Sequence, residues 1–307
     1  FRYYPIFKEF TAYILQYIQG GTMSNFNFLE KEYKELYDVC SEMENNYFTS
    51  PRTVCIFGRL AVETVIKYIY KFNCWNIPGD GSIKVLMTTK DFYDEFEPLD
   101  REKFHIVRKL GNLAVHDINT KISKDDSIKV TNIVFNLASW FSHCYGGLNE
   151  ELAFREDLIP SLRAFDNPNG AVIKAEKIEE TVKNKVEKLN IVEPTRKEDI
   201  KFTDTSTTEA ETRKWYIDIM LNAAGWNVND GSVKWEFPVT GMPEEDNPTG
   251  LGFVDYVLFG ENGKPLAVVE AKKTARNPKE GQHQAFLYAN CLEKLFGQRP
   301  IIFFINV

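Results

Sequence analysis

The sequence lacks the features that define several common classes of protein. No run reaches the ~18 apolar residues that a membrane-spanning helix needs, so we expect no membrane partner. The five cysteines are scattered, without a Cys-x-x-Cys pair or a Cys/His ligand spacing, which indicates free thiols in the reducing cytoplasm. No GxxxxGK(S/T) phosphate loop occurs. The net charge of −7 argues against a general nucleic-acid coat protein.

The chain does contain enough apolar sequence for about two domains. It has 307 residues, of which 43% are hydrophobic and 26% charged, as in an ordinary globular protein. Met23-Ser24 follows Gly-Gly-Thr and is typical of a native start, so we interpret residues 1–22 as upstream or vector-derived sequence. We predict a helical domain over 23–150, a helical linker over 151–200 and a second domain over 201–307.

Apolar residues at spacings of three and four predict a helical bundle in the first domain. Ser50-Pro51 is typical of a helix start, with a hydroxyl N-cap and then proline at the first helical position. Arg59 and Glu63 lie one turn apart and can form an ion pair. The intervening stretch 91–100 is rich in Asp, Glu and Pro, and we interpret it as non-helical. The predicted helices are 25–46, 52–73, 85–87, 104–113 and 128–145.

The charged stretch after the bundle predicts a connecting helix over 176–189. Ser206 and Glu209 have the spacing of a capping box, in which a hydroxyl N-cap is followed three residues later by Glu. We therefore predict a helix over 207–224. A strand over 233–239 and a polar loop follow it.

Two short β-prone runs, 253–259 and 265–271, flank Asn262-Gly263. This pattern predicts a hairpin with a two-residue type I′ turn, in which Glu261 faces Lys264. The same register places Asp255 opposite Glu270, and directly opposed side chains lie on one face of the sheet. Lys272 is two residues beyond Glu270, so it points to that face too.

Two carboxylates and a lysine are thus expected together inside an apolar hairpin. Burying two carboxylates is costly unless they are neutralised, and Mg²⁺ is commonly held by one or two carboxylates plus water and substrate phosphate. A structural ion pair of Lys272 with Glu270 or Asp255 is the alternative. The basic residues of 272–279 indicate either a phosphate-binding patch or a solvated loop.

A helix is predicted to follow the hairpin, because Asn277-Pro278 is a helix start with Glu280 at the third helical position. Gln284 and Tyr288 lie four residues apart and share a face of it. Tyr288 could instead be a core residue with Ala285, Leu292 and Leu295, and Gln284 a surface residue. The run 299–307 predicts a buried strand. The expected fold class is α+β or α/β, with a helical bundle followed by a mixed sheet that has helices on both sides.

Asp255 and the Glu270-Ala271-Lys272 segment resemble the PD-(D/E)xK nuclease superfamily. The Gln284/Tyr288 pair and the phrase TEAETRKWYIDIMLNAAGW at 208–226 resemble restriction subunits of type I restriction–modification enzymes. The resemblance implies a metal-dependent DNA endonuclease, with Asp255, Glu270 and the Ala271 carbonyl binding Mg²⁺ and Lys272 positioning the attacking water. It also implies that Gln284 and Tyr288 orient DNA. An acid of the first helix joins such sites in this superfamily, and Glu209 fits that place better than Glu211.

The same resemblance implies partners and a missing part. Double-stranded DNA and the methyltransferase and specificity subunits would be the partners. An ATP-driven motor normally follows this nuclease, so we interpret the chain as the N-terminal part of a longer restriction subunit.

The first domain resembles the helical HEPN-like domain of such subunits in the stretch RKLGNLAVHD at 108–117. Some HEPN proteins are metal-independent RNases that use an Arg and a His, which here would be Arg108 and His116. More residues separate these two than in the HEPN pattern, and Asn112 and His116 could instead fix the bundle. A third alternative is a helical partner-docking module whose nuclease-like half is inactive.

Overall fold

The computed structural model describes residues 24–117, 120–159, 168–245, 247–272 and 278–306. Within them the fold is α+β, because a helical region is followed by a four-stranded mixed sheet. The chain divides into two compact units between residues 212 and 213, which we call the helical unit and the sheet unit. This division lies beyond residue 200, where the sequence pattern places the start of the second domain.

The helical unit follows the predicted helices with two exceptions. The prediction of one helix over 25–46 is wrong, since a 3₁₀ turn at Asn27–Leu29 precedes a helix that begins at Lys34. The interpretation of 91–100 as non-helical is also wrong. The described helices of this unit are α1 Lys34–Asn45, α2 Pro51–Phe72, α3 Ile83–Leu86, α4 Lys90–Glu95, α5 Pro98–His116, α6 Lys124–Tyr145 and α7 Pro168–Lys188, with a further 3₁₀ turn at Glu156–Leu158.

Helix α2 is the central helix of this unit. The Ser50 side chain accepts a hydrogen bond from the Thr53 amide, which confirms the predicted helix start. Arg59 Nη2 lies 3.3 Å from a Glu63 carboxylate oxygen, which confirms the predicted ion pair. A Cβ atom at Gly58 would lie 2.3 Å from Cγ1 of Val130 on α6. The glycine is therefore required for the close packing of α2 and α6.

The predicted linker over 151–200 packs within the helical unit. Helix α7 is longer than the predicted helix. Its Val182 and Val186 side chains are buried, and α7 packs on α1 and α2. Lys174 of α7 forms an ion pair with Glu42 of α1, with a nitrogen–oxygen distance of 2.7 Å. The stretch is therefore part of the helical core.

The segment after α7 is held by hydrogen bonds to the helices of the same unit. The Trp140 indole donates to the Ile200 carbonyl at 2.7 Å, and the Lys197 amide donates to the Cys144 carbonyl at 2.7 Å. Backbone groups of this polar segment thereby find hydrogen-bond partners on a helix that is distant in the sequence.

A buried polar network completes the helical unit. The side chains of Lys103 and Asp204 are fully buried, and Lys103 Nζ lies 2.8 Å from Asp204 Oδ2. Asn136 and Ser206 also donate to the Asp204 carboxylate. Burial opposes the charge on Asp204, but these hydrogen bonds outweigh it and lower the pKa of the carboxyl. Asp100 accepts a hydrogen bond from the Asp204 amide at 3.2 Å.

The sheet unit contains four strands in the order β1-β2-β3-β4. Neighbours β1, β2 and β3 are antiparallel, and β4 is parallel to β3. Helix α8 precedes the sheet, and helix α9 connects β3 to β4. The bounds are α8 Glu209–Ala223, β1 Val233–Thr240, β2 Leu251–Phe259, β3 Pro265–Lys272, α9 Pro278–Phe296 and β4 Ile301–Asn306.

Helices cover both faces of this sheet, as the sequence predicts. On one face, which we call the α8 face, Ile217 and Leu221 of α8 pack against the strands. On the other, the α9 face, Leu287, Tyr288 and Leu292 of α9 do so. The strand residues buried on the α8 face are Val233, Tyr256, Leu258, Ala267, Val269 and Ala271. Those buried on the α9 face are Val239, Val254, Val257 and Val268.

Strand β4 exists as predicted, but the prediction that it is buried is wrong. Ile301 is 65% exposed and Phe303 is 51% exposed. The reason is topological, because β4 is the last strand in the order of the described sheet and only its β3 side is paired. A hydrophobic run therefore marked a strand without marking its position in the sheet.

Two further expectations concern the chain as a whole. No helix among the described residues is long and apolar enough to cross a membrane. The cysteines are free thiols, as predicted, and of the five only Cys74 is exposed.

Candidate active site

The hairpin between β2 and β3 closes through a three-residue loop. The Gly260 amide donates to the Lys264 carbonyl at 2.9 Å, and the Gly263 amide donates to the Gly260 carbonyl at 2.9 Å. Gly263 has a φ of +70°, whereas Asn262 is not among the residues with positive φ. Because a type I′ turn needs positive φ at both central residues, the predicted two-residue loop with Glu261 facing Lys264 is wrong.

An irregularity in β3 restores the predicted register. Phe259 pairs with Pro265, but Leu258 pairs with Ala267. Leu266 is therefore an extra residue in β3, as in a β-bulge. The longer loop shifts the pairing by one residue and the bulge shifts it back, so the strands beyond it pair as predicted.

The ladder between β2 and β3 ends one pair short of Asp255 and Glu270. Its last pair is Tyr256 with Val269, in the predicted register. Asp255 then contacts β3 through its side chain, since its Oδ2 accepts a hydrogen bond from the Ala271 amide at 2.7 Å. The carboxylate of Asp255 is thereby held against the peptide that joins Glu270 to Ala271.

Glu270 is the most buried acid of the site, with 1% of its surface exposed. Its neighbours Val269 and Ala271 are buried on the α8 face, so strand alternation places Glu270 on the α9 face. Burying a carboxylate costs several kcal/mol unless hydrogen bonds or a cation compensate it. Strand β3 thus buries the Glu270 carboxylate, at a cost in free energy, next to the Ala271 amide that Asp255 binds.

Lys272 is the last residue of β3 and pairs with Asn306 of β4 in the parallel ladder. Its side chain is outside the described part of the structure, as are residues 273–277. The predicted basic patch over 272–279 therefore stays a prediction, as does the position of the Lys272 amine.

Gln284 and Tyr288 share a face of α9, as predicted, and the Gln284 amide donates a hydrogen bond to the Tyr288 hydroxyl. Tyr288 is 4% exposed and belongs to the core cluster of the α9 face with Leu292. The interpretation of Tyr288 as a core residue together with Leu292 is thus confirmed. Leu295 does not belong to this core, because it is 55% exposed. A Cβ atom at Gly252 would lie 2.5 Å from Cε1 of Tyr288, so the ring packs directly on the backbone of β2.

The capping box of α8 lies two residues later than predicted. The Thr208 hydroxyl accepts from the Glu211 amide at 3.3 Å, and Glu211 Oε2 accepts from the Thr208 amide at 2.7 Å. The predicted box of Ser206 and Glu209 is therefore wrong, and the Ser206 hydroxyl donates to Asp204 instead. Glu209 is an exposed residue of the first helical turn.

Arg108 and His116 are not brought together by the fold. They lie eight residues apart on α5, which corresponds to about 12 Å along a helix axis, and His116 is exposed. The end of α5 is fixed by Arg52 of α2, whose guanidinium donates to the Ala114 and Thr120 carbonyls at 2.7 Å each. The fold of a single chain therefore does not bring Arg108 and His116 together in an RNase site.

The donor set at Asp255 suits a hard cation. No three His, Cys, Asp or Glu side chains converge on one point among the residues that the structure describes. A metal site here would therefore combine the Asp255 and Glu270 carboxylates with backbone oxygen, such as the Ala271 carbonyl, and with water. An all-oxygen set with few carboxylates and several waters is what Mg²⁺ prefers, so the residues present fit this ion.

The sequence did not single out two residues beside the site. The hydroxyl of Tyr256, which follows Asp255, donates to Asp218 Oδ1 on α8 at 3.0 Å. Asp218 also forms an ion pair with Lys214, at 2.6 Å. The sequence shows the four-residue spacing of Lys214 and Asp218. It does not show which strand Asp218 contacts.

The chain is similar to known proteins along most of its length. Residues 163–306 match the family described as type I restriction enzyme R protein N terminus. The type I restriction enzyme EcoKI endonuclease subunit of Escherichia coli strain K12 is 24% identical over 352 aligned positions, which cover 91% of this chain. The chain spans 29% of the length of that relative. No solved structure is significantly similar.

Proposed function

We propose that this chain is the metal-dependent DNA endonuclease part of a type I restriction subunit and hydrolyses phosphodiester bonds of DNA. The observation that carries the proposal is the hydrogen bond of 2.7 Å between the Asp255 carboxylate and the Ala271 amide. It joins the two halves of the segment that resembles a PD-(D/E)xK motif, in a chain whose residues 163–306 match the model of type I restriction enzyme R protein N termini.

Asp255, Glu270 and the Ala271 carbonyl would hold Mg²⁺. When bound, the ion would supply Lewis-acid polarisation of the phosphate and lower the pKa of the attacking water. The chain supplies the oxygen ligands and excludes solvent from one of them, since Glu270 is 1% exposed. Strand pairing in the register found here keeps β2 and β3 aligned up to Tyr256, the residue that follows Asp255.

The other proposed roles belong to side chains of β3 and α9. Lys272 would orient the attacking water and stabilise the charge that develops on the phosphate. Gln284 and Tyr288 would orient DNA beside the site. Their mutual hydrogen bond supports a single unit in which the buried Tyr288 holds Gln284. Glu209 remains a proposal as an additional acid of the first helix.

The larger assembly is proposed from the family. The relative is named an endonuclease subunit, and this chain spans 29% of it. We infer that the rest of a longer subunit carries the ATP-driven motor. Double-stranded DNA and the methyltransferase and specificity subunits of a type I complex would be the partners, in the cytoplasm.

Calorimetric titration of Mn²⁺ into the full chain and its Asp255→Ala variant tests the proposal. We expect binding to the wild type and loss of binding in Asp255→Ala, because the variant removes a carboxylate ligand. Glu261→Ala is the matched control, since Glu261 is an exposed acid of the same hairpin, and it should bind Mn²⁺ as the wild type does. Equal binding by all three proteins would contradict the site.

Cleavage of DNA by the assembled restriction enzyme is the second test. Wild-type activity with Asp255→Ala would exclude the proposed mechanism. If neither Mn²⁺ binding nor cleavage is found with the wild type, the helical partner-docking function with an inactive nuclease-like half takes its place.

A further inference from the structure

Strand β2 is irregular at Asp255. Val254 is buried on the α9 face and Tyr256 on the α8 face, although residues two apart in a regular strand share a face. On the neighbouring β1, the pairs on either side of this point are regular, but Glu236 between them has a φ of +47°. Side chains of β2 therefore change faces at Asp255.

Because the side chains of β2 change faces here, the regular alternation of a strand does not determine the direction of the Asp255 side chain. On the β3 side the ladder has already ended, and the carboxylate itself accepts the Ala271 amide. The position of Asp255 consequently depends on how its two neighbours are held. Val254 is fully buried in the core of the α9 face, and this apolar contact fixes one neighbour.

Tyr256 fixes the other neighbour through a polar contact. The side chain is 4% exposed, and its hydroxyl donates to Asp218 Oδ1 of α8 at 3.0 Å. Lys214 binds the other oxygen of Asp218 at 2.6 Å. A hydrogen bond to a charged acceptor is stronger and more directional than one between neutral groups.

We propose that Tyr256 and Asp218 are a positioning pair that holds the Asp255 carboxylate against the Ala271 amide. The proposal deepens the nuclease function and rests on it for the metal. Neither residue touches substrate in this proposal. They act by holding β2 to α8 at the residue where its side chains change faces. Residues that orient metal ligands in this way commonly affect affinity strongly although they do not bind the metal.

The test compares variants that keep or break the contact, all in the full chain. Tyr256→Phe retains the buried ring and removes the hydroxyl, and Asp218→Ala removes the acceptor. Asp218→Asn keeps an oxygen acceptor and is the conservative rescue. Lys214→Ala is the matched control, since it removes a partner of Asp218 but leaves the contact between Tyr256 and Asp218.

Hydrogen exchange of the Ala271 amide is the first readout, and it does not need metal. We expect exchange to accelerate about tenfold in Tyr256→Phe and Asp218→Ala, and to stay within about twofold of wild type in Asp218→Asn and Lys214→Ala. The amide of Val268 in the same strand is the internal reference. Unchanged Ala271 exchange in Tyr256→Phe overturns the proposal. Equal acceleration at Val268 also overturns it, because it would mean general loosening of the sheet.

Affinity for Mn²⁺ is the second readout. The dissociation constant should rise about tenfold in Tyr256→Phe and Asp218→Ala and recover in Asp218→Asn. If the wild type binds no Mn²⁺, the proposed nuclease function fails, while the exchange experiment still decides whether the pair positions Asp255. If the wild type binds and Tyr256→Phe binds equally well, the positioning proposal fails and the nuclease function stands.

Discussion

The two units of this chain treat a buried or partly buried aspartate in different ways. In the helical unit, Asp204 has a fully buried side chain and receives the Lys103 ammonium at 2.8 Å, together with donors from Asn136 and Ser206. In the sheet unit, Asp255 is partly exposed, and its described donor is the backbone amide of Ala271 at 2.7 Å. An amide orients a carboxylate but carries no formal charge to neutralise it.

The difference is the one expected between an acid that stabilises the fold and an acid that we propose binds a metal ion. A carboxylate paired inside the chain with a lysine has its charge compensated before any ligand arrives. Under the proposed function, a carboxylate that is oriented by an amide beside a buried glutamate would bind a cation from solution. This contrast leads to different expectations for substitutions in the two units.

The largest effect is expected from Lys272→Ala in the sheet unit. It should lower DNA cleavage by the assembled enzyme by about 10²- to 10⁴-fold, because the proposed water-orienting amine is lost. Cleavage assays with Lys264→Ala as the control measure this, since Lys264 is an exposed lysine of the hairpin loop. Circular dichroism should show that both variants are folded. Wild-type cleavage by a folded Lys272→Ala protein would remove this lysine from the mechanism.

Lys103→Ala in the helical unit should lower the free energy of unfolding by about 3–5 kcal/mol, because it leaves the buried Asp204 charge without its cation. Urea denaturation measures the loss. The matched control is Lys90→Ala, which breaks an exposed ion pair with Asp94 and should cost less than about 1 kcal/mol. If the two variants were equally stable, the buried pair would not stabilise the unit as inferred. Mn²⁺ affinity should not change in either variant.

Gly252→Ala should destabilise the sheet unit by about 1–3 kcal/mol, since the new methyl group would overpack the core. Its Cβ would lie 2.5 Å from Cε1 of Tyr288. Thermal unfolding provides the measurement. Gly170→Ala, where no atom lies within 4 Å of the added Cβ, should be neutral or slightly stabilising. A stable Gly252→Ala protein would show that Tyr288 can move away from β2 at little cost.

Asp100→Asn should change the pH dependence of the helical unit. Burial raises the pKa of Asp100 to about 6, so the folded state retains a proton that the unfolded state has lost between about pH 4 and pH 6. Wild-type stability therefore falls as pH rises through this window and stays reduced above it. Because Asn does not ionise, the variant should lack this fall and be more stable above pH 6, by about 1–2 kcal/mol.

Urea denaturation at pH 4.5 and pH 7 compares the variant with a wild type whose Asp100 is neutral at the lower pH and charged at the higher pH. The groups that face Asp100 are Lys103, Asp204 and Glu97, and all three remain in the variant. Parallel stability curves for wild type and variant across the window would contradict the raised pKa.

Signals that act within a few residues predicted the local structure. Ser50-Pro51 began α2 because a hydroxyl N-cap and a proline act within one turn. Apolar spacing predicted α6 and the strands of the hairpin. The capping box of α8 was misplaced by two residues because Ser206, Thr208, Glu209 and Glu211 offer overlapping choices. The Asp204 carboxylate, which accepts from Ser206, decided between them.

The register of β2 and β3 was predicted correctly, although one step of the reasoning behind it was wrong. The expected turn at Asn262-Gly263 was wrong, and the register survived because the bulge at Leu266 compensated for the longer loop. No short-range pattern encodes that compensation. It depends on which side chains of β2 and β3 must face α8 and α9, which lie elsewhere in the sequence.

Residue types and their spacing along the chain therefore decided the helices, the strands and the candidate chemistry of Asp255, Glu270 and Lys272. Tertiary structure decided that α7 belongs to the helical core, that β4 lies at the end of the described sheet, and that Asp255 binds the Ala271 amide. The reason is physical. Caps and periodicity act between residues a few positions apart, whereas burial, the ending of a ladder and the face of a side chain depend on elements brought together only by folding.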